Sequence, residues 1–315
     1  MTGYATLLGL IAPVFILIAA GVTARRIGWL GTEADASLLK LVVNLFYPCL
    51  VFGAVVASPS IAEPANLLWP PLLGFATIVL GFAIGFPAAR LAGLSKGKGL
   101  RTFAVAVGLF NWGYIPIPLV TGLFPPGTLG VLFVFNVGVE FALWTVGIAL
   151  MAGGGLREGR KHLFNPVVVS IILAVAVNLA GFGGEVPAFA MKTITALGAC
   201  AIPLGLVVIG AVTSEHIERP GDLLNARVIA MSSLVRLGLL PFLFLLLAKF
   251  LPIGVELKQV LVVQAAMPAA VFPMVMAKHY NGHPLTAAQV VAATTAIAIF
   301  LIPVWLKAGL AFVGV

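Results

Sequence analysis

Ten apolar stretches of 18 to 25 residues follow one another with only short connections, over 7–24, 38–57, 68–91, 101–122, 128–151, 165–182, 190–213, 226–250, 256–279 and 287–311. A hydrocarbon core of roughly 30 Å takes a helix of about 20 residues at about 1.5 Å per residue, so each stretch is long enough to cross. The runs are continuously apolar and do not alternate every second residue, which excludes the strands of a membrane barrel. An all-α membrane protein of ten transmembrane helices follows. Composition agrees, with 61% of the residues apolar and 9% charged, whereas a soluble domain carries about a quarter charged. The connections leave no soluble head for catalysis or regulation.

The net charge of +8 is unevenly placed. Segments after odd-numbered stretches carry Arg25, Arg26, Lys40, Arg90, Lys96, Lys98, Arg101, Arg157, Arg160, Lys161, Arg219, Arg227 and Lys278, and those after even-numbered stretches only Lys192, Lys249 and Lys258. Such a bias puts the odd connections in the cytoplasm, so an integral protein of the inner or plasma membrane with both termini outside is predicted. Attraction to anionic membrane lipid completes the account of the basic charge, and nucleic acid is not an expected partner. The first stretch has Arg25 and Arg26 behind it and no basic residue ahead, which reads as a retained helix and not a secretion signal. Cys49 and Cys200 each lie inside a predicted span and read as packing residues. Neither a cofactor nor a metal is expected.

The two halves of the chain echo each other. Pro13 near the start of the first stretch matches Pro166 in the sixth, and Pro48 in the second matches Pro203 in the seventh. Gly53-Ala-Val-Val-Ala-Ser58 is echoed by Gly210-Ala-Val-Thr-Ser214. The fourth stretch carries Pro116 and Pro118, and the ninth carries Pro268 and Pro273. A proline removes a backbone donor and clashes with the preceding turn. In lipid, a broken helix persists only where protein or a water-filled cavity satisfies the freed groups. Five spans precede the second half, so it starts from the opposite face and the five-plus-five repeat is inverted. Interrupted helices at matching places of inverted halves point to a transporter's central binding site.

At these residues the chain resembles the auxin efflux carrier family, which includes the plant PIN-formed carriers and bacterial malate and malonate permease-like proteins. Phe110-Asn-Trp-Gly-Tyr-Ile-Pro-Ile-Pro-Leu119 resembles the family's asparagine-glycine crossover followed by proline. Gln264-Ala-Ala-Met-Pro-Ala-Ala-Val-Phe-Pro-Met-Val-Met-Ala-Lys278 is similar to its second crossover. Arg26-Ile-Gly-Trp-Leu, an acidic loop and Lys40-Leu-Val-Val-Asn44 ahead of Pro48 fit as well. Trp112 and the Ala269-Ala270 pair depart from the plant pattern, against plant-like auxin recognition. The resemblance implies scaffold helices 1–2 (1–60) and 6–7 (156–215), which form a homodimer, and mobile transport helices 3–5 (61–155) and 8–10 (216–315). It also implies an elevator-like carrier of small organic anions such as mono- or dicarboxylates. The family's long hydrophilic loop after the fifth helix is absent.

Half-helix ends at the two breaks would offer unpaired N–H groups to a carboxylate. Asn111 can donate through its amide and Gly113 lets the backbone approach closely. Gln264 and the Met267-Pro268 peptide are the counterparts in the ninth helix, while Tyr114, Phe272 and Met274 shape the apolar part. Deep in predicted spans lie two charges, Glu140 and Arg236. Asn136 precedes Glu140, and Ser232 precedes Arg236, by one turn on the same face. Such charges need partners, and three roles stay open: a buried ion pair between them, proton or ion coupling through Glu140, and substrate contact by Arg236. An intramembrane enzyme lacks its inventory of catalytic pairs. A sodium-coupled bile-acid-type symporter and a non-transporting sensor remain as alternatives.

Overall fold

The computed structural model of the chain describes residues 3–153, 163–215 and 220–315. Among them the regular structure is helical throughout, in twelve segments. These are α1 (Tyr4–Arg26), α2 (Thr32–Val55), α3 (Ala65–Leu91), α4 (Leu100–Gly108), α5 (Pro116–Leu123), α6 (Pro126–Ala152), α7 (Pro166–Leu179), α8 (Ala188–Ser214), α9 (Ala226–Phe250), α10 (Val255–Ala265), α11 (Phe272–His279) and α12 (Pro284–Val313). Seven of them, α1, α2, α3, α6, α8, α9 and α12, are long and apolar enough to cross a membrane. The sixth predicted stretch is shorter than its apolar run: α7 has 14 residues and gives way at Gly181, whose φ of 80° is one that glycine adopts without strain. The fourth and ninth stretches, expected to be interrupted at their prolines, are pairs of half-helices, α4 with α5 and α10 with α11.

Three of the long helices widen into a π-helical turn, at Val42–Phe46 in α2, Leu143–Gly147 in α6 and Val235–Leu239 in α9. In α2 and α9 the wide turn comes just before a proline, Pro48 or Pro241, and relieves the clash of its ring with the preceding turn. An α-helical carbonyl at Leu237 would accept from residue 241, which as proline has no N–H. It accepts instead from Trp305 Nε1 of α12 at 2.7 Å.

Small residues set which helices touch. A Cβ on Gly21 would collide with the backbone of Val207, and one on Gly210 with that of Ile18, so α1 and α8 pack at near backbone contact. α2 lies against α7 and α8. Asn178 of α7 donates to the carbonyls of Val55, Val56 and Ser58 at 3.2, 2.9 and 3.0 Å, and Ser170 donates to that of Pro48 at 2.7 Å. Asn178 thus bridges α7 to the end of α2 and the turn that follows it. A second group gathers α3, α4 and α6 on one side and α9, α10 and α12 on the other. Arg25 and Asp35 form an ion pair that ties the end of α1 to the start of α2.

Candidate functional site

The two breaks meet. Asn111 N–H donates to the Pro268 carbonyl and Ala270 N–H to the Leu109 carbonyl, each at 2.8 Å, so Phe110 and Ala269 pair as an antiparallel bridge. Ala269 N–H donates to the Thr294 hydroxyl at 3.2 Å. The Asn111 side-chain oxygen accepts from the N–H groups of Gly113 and Ile115 at 3.4 and 3.3 Å, capping the approach to α5. Asn136 Nδ2 and Gln264 Nε2 both donate to the Trp112 carbonyl, at 2.9 and 3.5 Å. Most of what proline and the chain break set free is thus satisfied. The backbone N–H groups of Tyr114, Val271 and Phe272 find no acceptor among the described residues.

The three residues that carry those groups line a cavity of about 620 Å³. Its floor is the crossing itself, with Asn111 to Tyr114 on one side and Ala270 to Phe272 on the other; α2, α6, the start of α7 and α8 complete the wall. Tyr47 and Tyr114 meet edge to face with centroids 6.1 Å apart, and Trp144 meets Phe272 at 5.5 Å. Two glycines make room for the tyrosines. A Cβ on Gly113 would sit 2.5 Å from Tyr47 Oη, and one on Gly205 would fall on the Tyr114 ring. The lining is aromatic and aliphatic, with polar groups from Asn44, Asn111, Asn165, both tyrosines and Glu140.

The residues match the family model for membrane transport proteins twice, over 6–158 and again over 156–306. The chain belongs to the auxin efflux carrier family. Among its relatives, an uncharacterized transporter of Methanothermobacter thermautotrophicus is 24% identical over 305 residues, covering 94% of this chain and 96% of the relative. An uncharacterized transporter of Methanocaldococcus jannaschii is 23% identical over 304 residues, covering 93% and 95%. Family and relatives alike make the chain a membrane transporter.

In this family member the cavity gathers Asn111, Gly113, Tyr114, Phe272 and Glu140 out of the residues singled out from the sequence. Pro116 and Pro273 open the half-helices α5 and α11 beside it, and Pro118 follows within α5. Pro268 takes part through its carbonyl, at the bridge. Gln264, Met267, Met274 and Asn136 are buried behind the crossing and do not line the cavity.

Of the three roles left open for Glu140 and Arg236, the ion pair between them is not formed. Glu140 Oε2 accepts from Trp144 Nε1 at 2.6 Å and from Asn165 Nδ2 at 3.3 Å. Arg236 is fully buried between Phe110 and Phe244, its guanidinium 5.3 Å from each ring centroid, with no hydrogen-bond partner for its side-chain nitrogens. The flat faces of two aromatic rings supply the electrostatic partner that a carboxylate was expected to supply. Nor does Arg236 reach the cavity, where it would meet a substrate. Tyr47, Trp112, Trp144 and Asn165 line the cavity without having been singled out for it; Trp144, one helical turn after Glu140, is the one whose spacing carried a signal.

Proposed function

We propose that this chain is a carrier of small organic anions of the carboxylate class, bound where the two broken helices cross. One observation carries the reading: the segment leading into α5 and the start of α11 line the same cavity, and the N–H groups of Tyr114, Val271 and Phe272 there have no acceptor among the described residues. Helix starts concentrate partial positive charge and unpaired donors, so an anion can be held without a basic side chain. The aromatic lining favours a monocarboxylate with an apolar body over a dicarboxylate, whose second charge would find no donor cluster of its own. Ten spans in two inverted halves suit this reading, because the family match occurs twice and the breaks, 109–115 and 266–271, fall at corresponding places. The closer packing of α1 with α8, and of α2 with α7 and α8, than of any of them with the other helices supports an elevator-like shift of the crossing against a scaffold. In α1 and α2 only 22% of the span is buried, against 67% in α6, which supports a second copy docking on that scaffold.

The test is a thermal-shift panel of mono- and dicarboxylates, indole-3-acetate included, followed by uptake into proteoliposomes. A carboxylate that stabilises the purified chain and is taken up saturably supports the reading. Stabilisation by amines or sugars alone refutes it. Sodium-coupled symport is a second reading, favoured by Asn136 Oδ1 and Gln264 Oε1, two buried acceptors without partners beside the Trp112 carbonyl. Sodium is bound by several oxygens at once. Flux that is indifferent to replacing sodium with choline removes that reading.

A further inference from the structure

Glu140 is the one charged side chain on the cavity wall among the described residues. Its surroundings define what the carboxylate can do. Asn165 caps α7, its side-chain oxygen accepting from Val167 N–H and Val168 N–H at 3.0 Å each. That fixes the amide so that Nδ2 faces Glu140 as a donor. Trp144 Nε1 can only donate, and the Trp112 side chain is a third hydrogen-bonding neighbour. Trp144 and Asn165 both donate to Oε2, and Glu140 lines the cavity. The titratable groups facing it are Tyr47 from α2 and Tyr114 from the crossing; α3, α5, α7 and α10, which also pack on α6, put no charged side chain on the wall. A carboxylate on the cavity wall is a poor neighbour for a second carboxylate, because two like charges in one low-dielectric site are not both kept.

We propose that the Glu140 carboxyl is a proton-binding site, and that the cavity takes up a carboxylate only together with a proton on that group, so that transport is proton–anion symport. The inference rests on the carboxylate reading above. The proton comes from water on the loading side, forms an O–H bond on the Glu140 carboxyl, donates toward the bound anion as a charge-assisted hydrogen bond, and leaves to water on the releasing side with the substrate. No other bond changes. Because Glu140 belongs to α6 and Asn165 to α7, the loaded carboxyl also spans the seam between the two helix groups.

Linkage gives the sign. Where Glu140 is protonated the anion binds; above the pH range of its titration, affinity falls tenfold per pH unit.

The experiment uses the full chain in lipid nanodiscs, the parent and Glu140→Gln. Infrared difference spectra should show a protonated-carboxyl C=O stretch that appears on acidification in the parent and is missing from Glu140→Gln. Binding of radiolabelled phenylacetate should fall tenfold per pH unit on the alkaline side of that transition in the parent, and lose its pH dependence in Glu140→Gln. A parent that binds phenylacetate equally at every pH overturns the proposal without needing the variant to fold. So does a variant that keeps the parent's pH profile. Radiolabelled phenethylamine is the isosteric cation: binding that strengthens with pH and vanishes in Glu140→Gln assigns the carboxylate to an organic cation and overturns proton–anion symport. A carboxyl band that titrates while phenylacetate binds neither protein at any pH sinks the carboxylate reading beneath, and the proposal with it.

Discussion

Replacing Trp305 with Phe keeps an aromatic ring in α12 but removes the one donor among the described residues that reaches the Leu237 carbonyl across the seam with α9. That carbonyl has lost its helical partner to Pro241, so the variant leaves a buried acceptor empty. An unsatisfied buried group costs about 1 to 3 kcal/mol, while polar contacts between membrane helices average about 0.6 and reach about 1.7 kcal/mol. The overlap of the two ranges sets the expected loss at about 1.5 kcal/mol. Thermal unfolding in detergent, followed by intrinsic fluorescence, measures it. The loss of ring area is separated from the loss of the hydrogen bond by repeating the substitution in a Pro241→Ala background, where residue 241 regains an N–H. There Trp305→Phe should cost less than half as much. Equal costs in both backgrounds refute the assignment of Trp305 to the proline-freed carbonyl.

Asn111→Ala removes the acceptor of the Gly113 and Ile115 N–H groups and should lower stability by about 1 kcal/mol while weakening carboxylate binding; unchanged binding in a folded variant places the ligand elsewhere. Glu140→Gln and Arg236→Gln share no partner in the structure, so their effects on unfolding should add within about 0.5 kcal/mol, and a large positive coupling in the double variant revives the ion pair. A reporter active only in the cytoplasm should stay silent when fused after Val315, and a signal there reverses the topology. Cysteines introduced at Phe189 on α8, 75% exposed, should cross-link two copies in the membrane, whereas cysteines at Phe242 on α9, 51% exposed, should not; the opposite pattern moves the dimer face.

What the sequence revealed and what it hid divide along physical lines. A proline announces its effect wherever it stands, since the missing N–H and the ring clash are local, and so the breaks after Gly108 and Ala265 were legible. Asn111, Gly113 and Tyr114 follow from the first break by position alone. Side chains that come from far along the chain were not legible. Tyr47 reaches the cavity from α2 because Gly113 leaves room for it, and Asn165 faces Glu140 because its own oxygen is committed to capping α7. The partner of Arg236 was misjudged for a related reason. A charge in lipid demands compensation, part of which two phenylalanine faces supply here in place of a carboxylate, and Phe110 and Phe244 read as ordinary apolar residues in a chain full of them.

The bridge between Phe110 and Ala269 is made of main-chain atoms alone. A frame pinned by peptide groups places no demand on the chemistry of the side chains that hang from it. Residues 112 and 270, next to the bridge and on the cavity wall, can therefore be exchanged while the crossing stays closed, which makes them the natural positions for retuning selectivity. A library varied at Trp112 and Ala270 alone would sample new cargoes on an unchanged chassis.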